Sequence, residues 1–231
     1  MSVAAVVFDF DGLLMDTEST MLASWQYEWR HHGLELELST FWVNHGGDIT
    51  EDRCRQLATA VGLSYDHEAS HARRTAFRDE LNRRLGLRPG IEAWLDEGSR
   101  VSLRLAVASS SPTSWITPLL ASVNKDDCFS VIACGDDVAL PKPSPEVYLL
   151  ALDRLGVSAA EAVAVEDSPH GVAAARAAGL RCIAIPNPHA AVDAFDAADL
   201  VLGSAADHSL TQALSRLPAL QGGQATRGAG S

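Results

Sequence analysis

The sequence predicts an α/β protein with a doubly wound parallel sheet and an early helical insert. Through the second half of the chain, short apolar runs of strand length alternate with amphipathic segments of helix length. This alternation is typical of βαβ units in a parallel sheet. Between the first apolar run and the second, a long segment shows only helical spacing. At 231 residues and 47% apolar content, the chain can bury one large core.

Six apolar runs are predicted to form the sheet, with helices between the later ones. The predicted strands cover residues 3–8, 103–108, 131–133, 162–165 and 181–185, with a short edge strand at 200–202. The predicted helices between them cover residues 113–123, 145–155 and 171–178. Parallel strands joined by helical crossovers place these helices on the faces of one sheet.

The insert, residues 17–85, is predicted to be helical throughout. Its apolar residues recur at intervals of three or four, as at Trp25 and Trp29, without the alternation of a strand. The end of the chain, residues 221–231, is rich in Gly and small polar residues and has too little apolar surface to fold. We expect this segment to be a flexible tail.

The composition indicates a cytoplasmic globular protein. A formal net charge of −12 argues against non-specific nucleic-acid binding but allows a small anionic substrate in a locally positive pocket. The chain has no apolar run of the roughly 20 residues that a membrane span needs, and no basic segment leads into a signal-type run. We therefore expect no membrane binding. The cysteines form no CxxC pair and are expected to stay reduced.

Polar residues stand at the ends of three predicted strands. Asp9 and Asp11 follow the first strand, where burying a carboxylate costs free energy. Ser109 follows the second strand, and Glu166 and Asp167 follow the fourth. Taken singly, each has a structural explanation, because such residues favour turns and helix starts. Taken together they predict one site, since ligands of doubly wound sheets bind at the carboxyl ends of the strands.

Two loops before predicted helices are expected to complete this site. Pro143 disfavours a helical conformation for Lys142, so this lysine should be extended in the loop before the helix at 145–155. After the second strand, Ser111 is predicted to be a helix N-cap and Pro112 the first helical residue. The free N–H groups of that turn would bind an anion.

Four elements of the sequence together resemble the motifs of the haloacid dehalogenase (HAD) superfamily, in its phosphatase and phosphomutase branch. They are DFDGLLMDTE, Ser109, KPSPEVY with Lys142, and VEDSPHG. The resemblance covers residues 3–217 and is closest to β-phosphoglucomutase-like proteins and sugar-phosphate phosphatases. It implies a HAD-like Rossmannoid core in which the insert is an α-helical cap. The implied domains are a core of residues 1–16 and 86–220, a cap of residues 17–85 and the tail of residues 221–231.

The resemblance also implies the catalytic roles of the two aspartates. Asp9 would attack phosphorus and form an aspartyl-phosphate, which divides one difficult displacement into two easier steps. Asp11 would give a proton to the leaving alcohol and then take one from the attacking water. A hydrolase of this family needs both roles.

Mg²⁺ is the implied cofactor, because it prefers hard oxygen ligands and keeps several waters. The implied ligands are the side chains of Asp9 and Asp167 and the backbone carbonyl of Asp11, with Glu166 nearby or bound through water. The metal and a lysine would offset the cost of burying the aspartates.

The remaining predicted site residues bind the substrate. Lys142 would neutralise the nucleophile and the phosphoryl charge, while the Ser109 hydroxyl and the Ser110 N–H would bind phosphate oxygens. In the cap, His45 is predicted to face the substrate from the loop NHGGD. Arg53 is the best cap candidate for a second anionic group, although the phase of its helix could turn it outward.

The predicted function is Mg²⁺-dependent hydrolysis of a small phosphate monoester, a sugar or polyol phosphate, by a monomer or weak dimer. A β-phosphoglucomutase-type phosphomutase is the alternative, but mutases of this branch carry a histidine where this chain has Met21. A phosphoacceptor signalling domain is the second alternative, because receiver domains gather similar residues around Mg²⁺. A dehalogenase is disfavoured by the second aspartate, and a phosphonatase by the absence of lysine in residues 17–85.

Overall fold

A six-stranded parallel sheet forms the centre of the protein. The structure is a computed structural model that describes residues 3–41, 50–187 and 192–219. Within them the strands have the spatial order β3-β2-β1-β4-β5-β6. The strands are β1 (Ala5–Phe8), β2 (Arg104–Ala108), β3 (Val131–Ala133), β4 (Ala162–Glu166), β5 (Arg181–Ala184) and β6 (Leu200–Val201). The direction of winding changes between β1 and β4, where such sheets bind ligands. The predicted fold class is confirmed.

The α-helices of the described residues surround this sheet and fill the insert. They are α1 (Thr17–His31), α2 (Leu38–Phe41), α3 (Thr50–Val61), α4 (His67–Asn82), α5 (Ile91–Arg100), α6 (Thr113–Ser122), α7 (Glu146–Leu155), α8 (Pro169–Ala177) and α9 (Leu210–Ser215). The predictions of α6, α7 and α8 are confirmed, whereas α5 and α9 lie in segments to which the sequence analysis assigned no structure. No helix in the described part of the chain combines the length and the apolar character of a membrane span.

The two faces of the sheet carry side chains of different size. On one face, large residues such as Val6 and Phe8 pack against α5, α6 and α9. On the other face, small residues such as Ala5 and Ala164 meet α7 and α8. Successive residues of a strand point to opposite faces, so one strand serves both layers. Because alanine fills little space, α7 and α8 can approach the sheet closely.

The described part of the insert is helical and has a small core of its own around Trp25. Helix α1 packs along α4, and the guanidinium of Arg74 lies 3.8 Å from the centre of the Trp25 ring. Arg73 on α4 also forms a 2.6 Å ion pair with Glu28, which is buried on α1. The predicted substrate-facing His45 and the predicted tail lie outside the described residues.

Candidate active site

Asp9 and Lys142 form a buried ion pair at the carboxyl end of β1. The Asp9 N–H donates to the Val165 carbonyl at 2.9 Å, which extends the bonding of β1 to β4 by one residue. The Lys142 Nζ lies 2.5 Å from Asp9 Oδ1 and donates to the Ala108 carbonyl at 2.8 Å. Since Ala108 ends β2, the lysine amine connects two neighbouring strand ends.

Glu166 holds the same lysine from the end of β4. Its Oε1 accepts hydrogen bonds from Lys142 Nζ and from the Tyr148 hydroxyl, both at 2.6 Å. Its Oε2 accepts from the N–H groups of Asp167 at 3.1 Å and Ser168 at 3.4 Å. Both oxygens of this fully buried carboxylate therefore already accept hydrogen bonds from protein donors.

Two glycines make room for the acidic side chains. A Cβ on Gly171, in the first turn of α8, would lie 1.9 Å from the Glu166 carboxylate. Gly12 has a φ of +76°, and a Cβ there would lie 2.1 Å from Asp167 Oδ2. The glycine of the DGLL segment thus supplies both a left-handed turn and space for a carboxylate from another strand end.

Asp9, Glu166, Asp167 and Lys142 form a buried cluster in which negative groups outnumber positive ones. Burial raises the pKa of Asp9 to about 8, although the Lys142 charge opposes the shift. Burial also raises the pKa of Asp167 well above its ordinary value, and the charges of Asp9 and Glu166 add to this. Burial acts to lower the pKa of Lys142, but Asp9 and Glu166 outweigh it and raise that pKa. Three buried carboxylates face one buried amine, so a further cation would restore the balance.

The same three carboxylates fit a divalent metal ion. Asp9, Glu166 and Asp167 each place an oxygen within 4.8 Å of the others. An all-oxygen donor set suits a hard cation such as Mg²⁺. Asn187 Nδ2 donates to Asp167 Oδ2 at 3.3 Å and orients that carboxylate. Of the three, Asp9 and Asp167 line the cavity of the site, so these two side chains are the ones open to an incoming ion.

Asp11 accepts three side-chain hydrogen bonds beside this cluster. Thr17 Oγ1 donates to Asp11 Oδ1 at 2.8 Å, and Ser111 Oγ donates to Asp11 Oδ2 at 2.5 Å. The third donor is the indole of Trp115, whose Nε1 lies 2.9 Å from Asp11 Oδ1. These donors come from α1, from the loop after β2 and from α6.

The loop after β2 corrects one prediction. Helix α6 begins at Thr113, with Pro112 and not Ser111 at the N-cap position. The Ser111 hydroxyl lies against Asp11, to which it donates. The Thr113 N–H instead donates to Asp136 Oδ1 at 3.2 Å, so a carboxylate from the loop after β3 caps the helix. A cap supplied across space leaves no local signal in the sequence.

The predicted phosphate-binding serines lie beside the lysine. Ser109 is buried at the end of β2, and its hydroxyl accepts a 3.0 Å hydrogen bond from the Ser111 N–H. The Ser110 hydroxyl accepts from the Lys142 N–H at 3.1 Å, which ties the lysine loop to this turn. Both serines line the cavity, as do Asp9 and Lys142.

The cavity has a volume of about 640 Å³ and lies between the strand ends and the helical insert. The insert contributes Glu18, Met21, Arg53 and Arg78 to its wall. Arg53 is buried, and its Nη2 donates to the Phe41 carbonyl at 3.1 Å, so the phase of α3 turns it inward. Burial raises the pKa of Glu18 to about 7, with a further contribution from the charge of Asp11.

The structure brings the described candidate residues of the core together at one edge of the sheet. Sequence reasoning missed several contributors, among them Tyr148, Trp115, Arg78 and Asn187. Tyr148, Trp115 and Arg78 lie on helices α7, α6 and α4, outside the motifs that carry the family resemblance except for Tyr148, which ends KPSPEVY. Their partners lie on other elements, so nothing local in the sequence marks them as part of the site.

Comparison with known proteins assigns the chain to a family. The model of the haloacid dehalogenase-like hydrolases matches residues 6–185. The chain belongs to this family. It is 36% identical over 216 residues to YhcW of Bacillus subtilis, covering 93% of this chain and 98% of that protein. The phosphoglycolate phosphatase of Yersinia pestis is 30% identical over 197 residues, covering 80% and 81% of the two chains.

A crystal structure of CbbY from Rhodobacter sphaeroides in complex with phosphate is also similar to this HAD protein. It has a TM-score of 0.74 and 30% identity, and the match covers 91% of this chain and 99% of that one. The predicted family and the predicted enzyme class, a hydrolase of that family, are therefore confirmed.

Proposed function

We propose that this HAD protein is a Mg²⁺-dependent phosphatase that hydrolyses a small phosphate monoester, a sugar or polyol phosphate, through an aspartyl-phosphate on Asp9. The observation that carries the proposal is the buried Asp9–Lys142 pair, with Asp11 beside it on the same cavity wall. The names of the relatives support a phosphatase, because one similar protein is a phosphoglycolate phosphatase and another was crystallised with phosphate.

In the first step, Asp9 attacks phosphorus and the ester oxygen leaves. The Lys142 amine, 2.5 Å from Asp9 Oδ1, offsets the negative charge that otherwise repels a carboxylate from a phosphoryl group. Ser109 and Ser110 lie next to this pair and would donate to the phosphoryl oxygens. Asp11 protonates the leaving alcohol, so that no free alkoxide forms.

Asp9 and Asp167 would hold Mg²⁺ through their side chains, and Asp11 through its backbone carbonyl. When bound, the ion supplies positive charge against the phosphoryl oxygens. Glu166 keeps Lys142 in place through its 2.6 Å contact. To bind the metal ion through a water molecule as well, Glu166 would have to accept a further hydrogen bond beside those it accepts from the protein.

In the second step, water hydrolyses the aspartyl-phosphate. Asp11, which the first step left without its proton, accepts one from the attacking water as the oxygen reaches phosphorus. Asp9 is then released as a carboxylate, and Lys142 again neutralises it.

A sugar or polyol phosphate suits the wall opposite the phosphoryl group. Glu18, Arg53 and Arg78 place polar and charged groups on that wall, which favours a leaving alcohol that carries further hydroxyl groups over an apolar one. His45 remains a predicted contact to the substrate. The mutase alternative lacks support at position 21, because the Met21 thioether lines the cavity and cannot move a proton.

We also propose the organisation and setting that the sequence indicates. The core comprises residues 1–16 and 86–220, residues 17–85 form a cap that shields the aspartyl-phosphate from bulk water, and residues 221–231 form a tail. The protein would act in the cytoplasm as a monomer or weak dimer, on a small phosphorylated metabolite, without binding nucleic acid or membrane.

A substrate screen tests this proposal. We expect phosphate release from sugar phosphates, polyol phosphates or phosphoglycolate to depend on Mg²⁺ and to stop on addition of a chelator. Asp9→Asn should fold normally and lose turnover, because an amide is a poor nucleophile. Turnover near the wild-type rate in Asp9→Asn would exclude Asp9 as the nucleophile. Isomerisation of a hexose phosphate without phosphate release would favour the mutase.

A further inference from the structure

Trp115 makes a polar contact that its position in α6 does not require. The inward-facing residues of this helix, Ile116 and Leu120, pack into the core, while Trp115 is only partly buried and lines the cavity. Its indole N–H donates to Asp11 Oδ1 at 2.9 Å. Thr17 Oγ1 donates to the same oxygen at 2.8 Å. The carboxylate oxygen is thus held between two donors from different elements.

Arg78 of helix α4 covers the ring of this tryptophan. The Arg78 Cζ lies 4.5 Å from the centre of the Trp115 ring, a distance typical of cation–π stacking. Its Nη2 also lies 3.4 Å from the Thr17 carbonyl. Within the described residues, the buried Arg78 Nε makes no hydrogen bond, so this side chain is oriented by the stacked ring, by the Thr17 carbonyl and by the charges of Asp11 and Glu18. Helices α1, α4 and α6 therefore meet at Asp11.

We propose that Trp115 is a positioning residue for Asp11, and that Arg78 holds the Trp115 ring in place from the helical insert. The indole N–H and Thr17 Oγ1 together fix the carboxylate in one rotamer through Oδ1, which leaves Oδ2, the acceptor of the Ser111 hydroxyl, as the oxygen that would exchange protons with the substrate. A tryptophan suits this task because its ring is large and rigid, and its single donor has a fixed direction. The inference rests on the proposed function, in which Asp11 exchanges protons with the leaving alcohol and with water.

The leaving group separates positioning of Asp11 from a general loss of fold. An alkyl alcohol needs a proton as it departs, whereas p-nitrophenolate leaves readily without one. The ratio kcat/KM reports only the steps up to formation of the phosphoenzyme. Trp115→Phe keeps an aromatic ring and removes the donor. We expect kcat/KM to fall about tenfold for glycerol 2-phosphate and less than about twofold for p-nitrophenyl phosphate.

A matched control removes another indole donor away from the cavity. Trp94 Nε1 donates to the His208 carbonyl at 2.8 Å, and Trp94→Phe should leave the ratio of the two kcat/KM values unchanged. Equal losses for both substrates in Trp115→Phe, or no loss for either, would overturn the positioning role. If the wild-type protein hydrolyses neither these two substrates nor any phosphate monoester of the screen above, the proposed function fails. The hydrogen bond itself is tested separately, as follows.

Nuclear magnetic resonance of the indole N–H groups tests the contact in variants that keep Trp115. The Trp115 resonance is assigned by its loss in Trp115→Phe. We expect it to move upfield in Asp11→Ala, which removes the acceptor, and to shift in Arg78→Met, which removes the stacked cation. Arg84→Met, at an exposed arginine paired with Glu80, should leave it in place. If the Trp115 resonance does not move in Asp11→Ala, the inference is wrong. If it does not move in Arg78→Met, Arg78 does not hold the Trp115 ring.

Discussion

At the scale of single residues, the site depends on how the buried positive charge of Lys142 is compensated. Its amine contacts one oxygen each of Asp9 and Glu166 and the Ala108 carbonyl. Removing one partner of such a buried pair typically costs about 3–5 kcal/mol, because the remaining charge stays buried without compensation. Tyr148 completes the arrangement by donating to the glutamate oxygen that also accepts from the lysine. The carboxylate thus shares its charge between two donors.

Tyr148→Phe should weaken the hold of Glu166 on Lys142 without leaving a cavity in the core. The variant keeps the buried ring and removes one hydrogen bond to a charged acceptor, a loss of about 1.5–3 kcal/mol. For a protein of this size the Tm should fall by about 3–12 °C, and turnover should fall several-fold as Lys142 becomes less well held. Tyr27→Phe is the control, because Tyr27 is 42% exposed and stacks on Phe77 through its ring. Equal Tm values for the two variants would contradict the role given to the Tyr148 hydroxyl.

Asp11→Asn should separate the two chemical steps. Without a proton acceptor, water attacks the aspartyl-phosphate slowly, whereas a good leaving group can still transfer its phosphoryl group to Asp9. We expect one equivalent of p-nitrophenolate to be released in a burst, followed by slow turnover. Mass spectrometry of the acid-quenched protein should find the phosphoryl group on Asp9. A burst of this kind in Asp9→Asn as well would show that another residue accepts the group.

At the scale of elements, the sequence predicts the sheet better than the helices. Parallel strands buried on both faces are nearly continuous apolar runs, so the first polar residue after each run marks its end. That is why the positions of Asp9, Ser109 and Glu166 were predictable. Helix α9 has only six residues, too few to show a period. Helix α5 does carry the spacing, but it begins after Gly90, which has a φ of 85° and offers no side-chain cap to signal a start.

Gly171→Ala should test how tightly α8 fits against β4. In most helices this substitution stabilises by up to about 1 kcal/mol, because glycine loses more backbone entropy. Here the added Cβ would overlap the Glu166 carboxylate, so we expect a lower Tm and a loss of activity as that carboxylate moves off Lys142. Gly86→Ala is the control, because a Cβ at that exposed position meets no atom within 4 Å. A stabilised and fully active Gly171→Ala protein would contradict the packing argument.

At the scale of the whole molecule, the site joins segments that are far apart in the chain. The first strand, the insert and the later βαβ units each supply part of the cavity wall. Motif spacing could predict the core contribution, because strand ends of a parallel sheet meet by necessity. The inward direction of Arg53 and Arg78 could not be predicted, since it depends on how the insert helices are rotated over the sheet. The residues that the insert adds to the cavity wall are therefore the part of the site that the sequence pattern predicts least.

The excess of carboxylates over amines at the site has a thermodynamic consequence. Gathering Asp9, Glu166 and Asp167 against one amine costs folding free energy, which a bound cation would offset. We expect Mg²⁺ at 100 times its dissociation constant to stabilise the wild-type protein by about 2.7 kcal/mol. This corresponds to a rise in Tm of about 5–11 °C, measured by thermal unfolding with Mg²⁺ or with a chelator.

Asp167→Asn identifies the source of that stabilisation. A neutral amide is cheaper to bury than a carboxylate, so the metal-free variant should unfold at or above the Tm of the metal-free wild type. Its rise in Tm with Mg²⁺ should largely vanish, because one charged ligand is gone. Asp136→Asn alters a second acidic cluster, with Cys134 and Asp137, and the rise should survive there, since the amide oxygen of an asparagine can still accept from the Thr113 N–H and keep the α6 cap. The opposite result, a Mg²⁺-dependent rise in Tm that persists in Asp167→Asn and disappears in Asp136→Asn, would show that the cation binds at the cluster of Cys134, Asp136 and Asp137. The excess negative charge around Lys142 would then have to be compensated in another way.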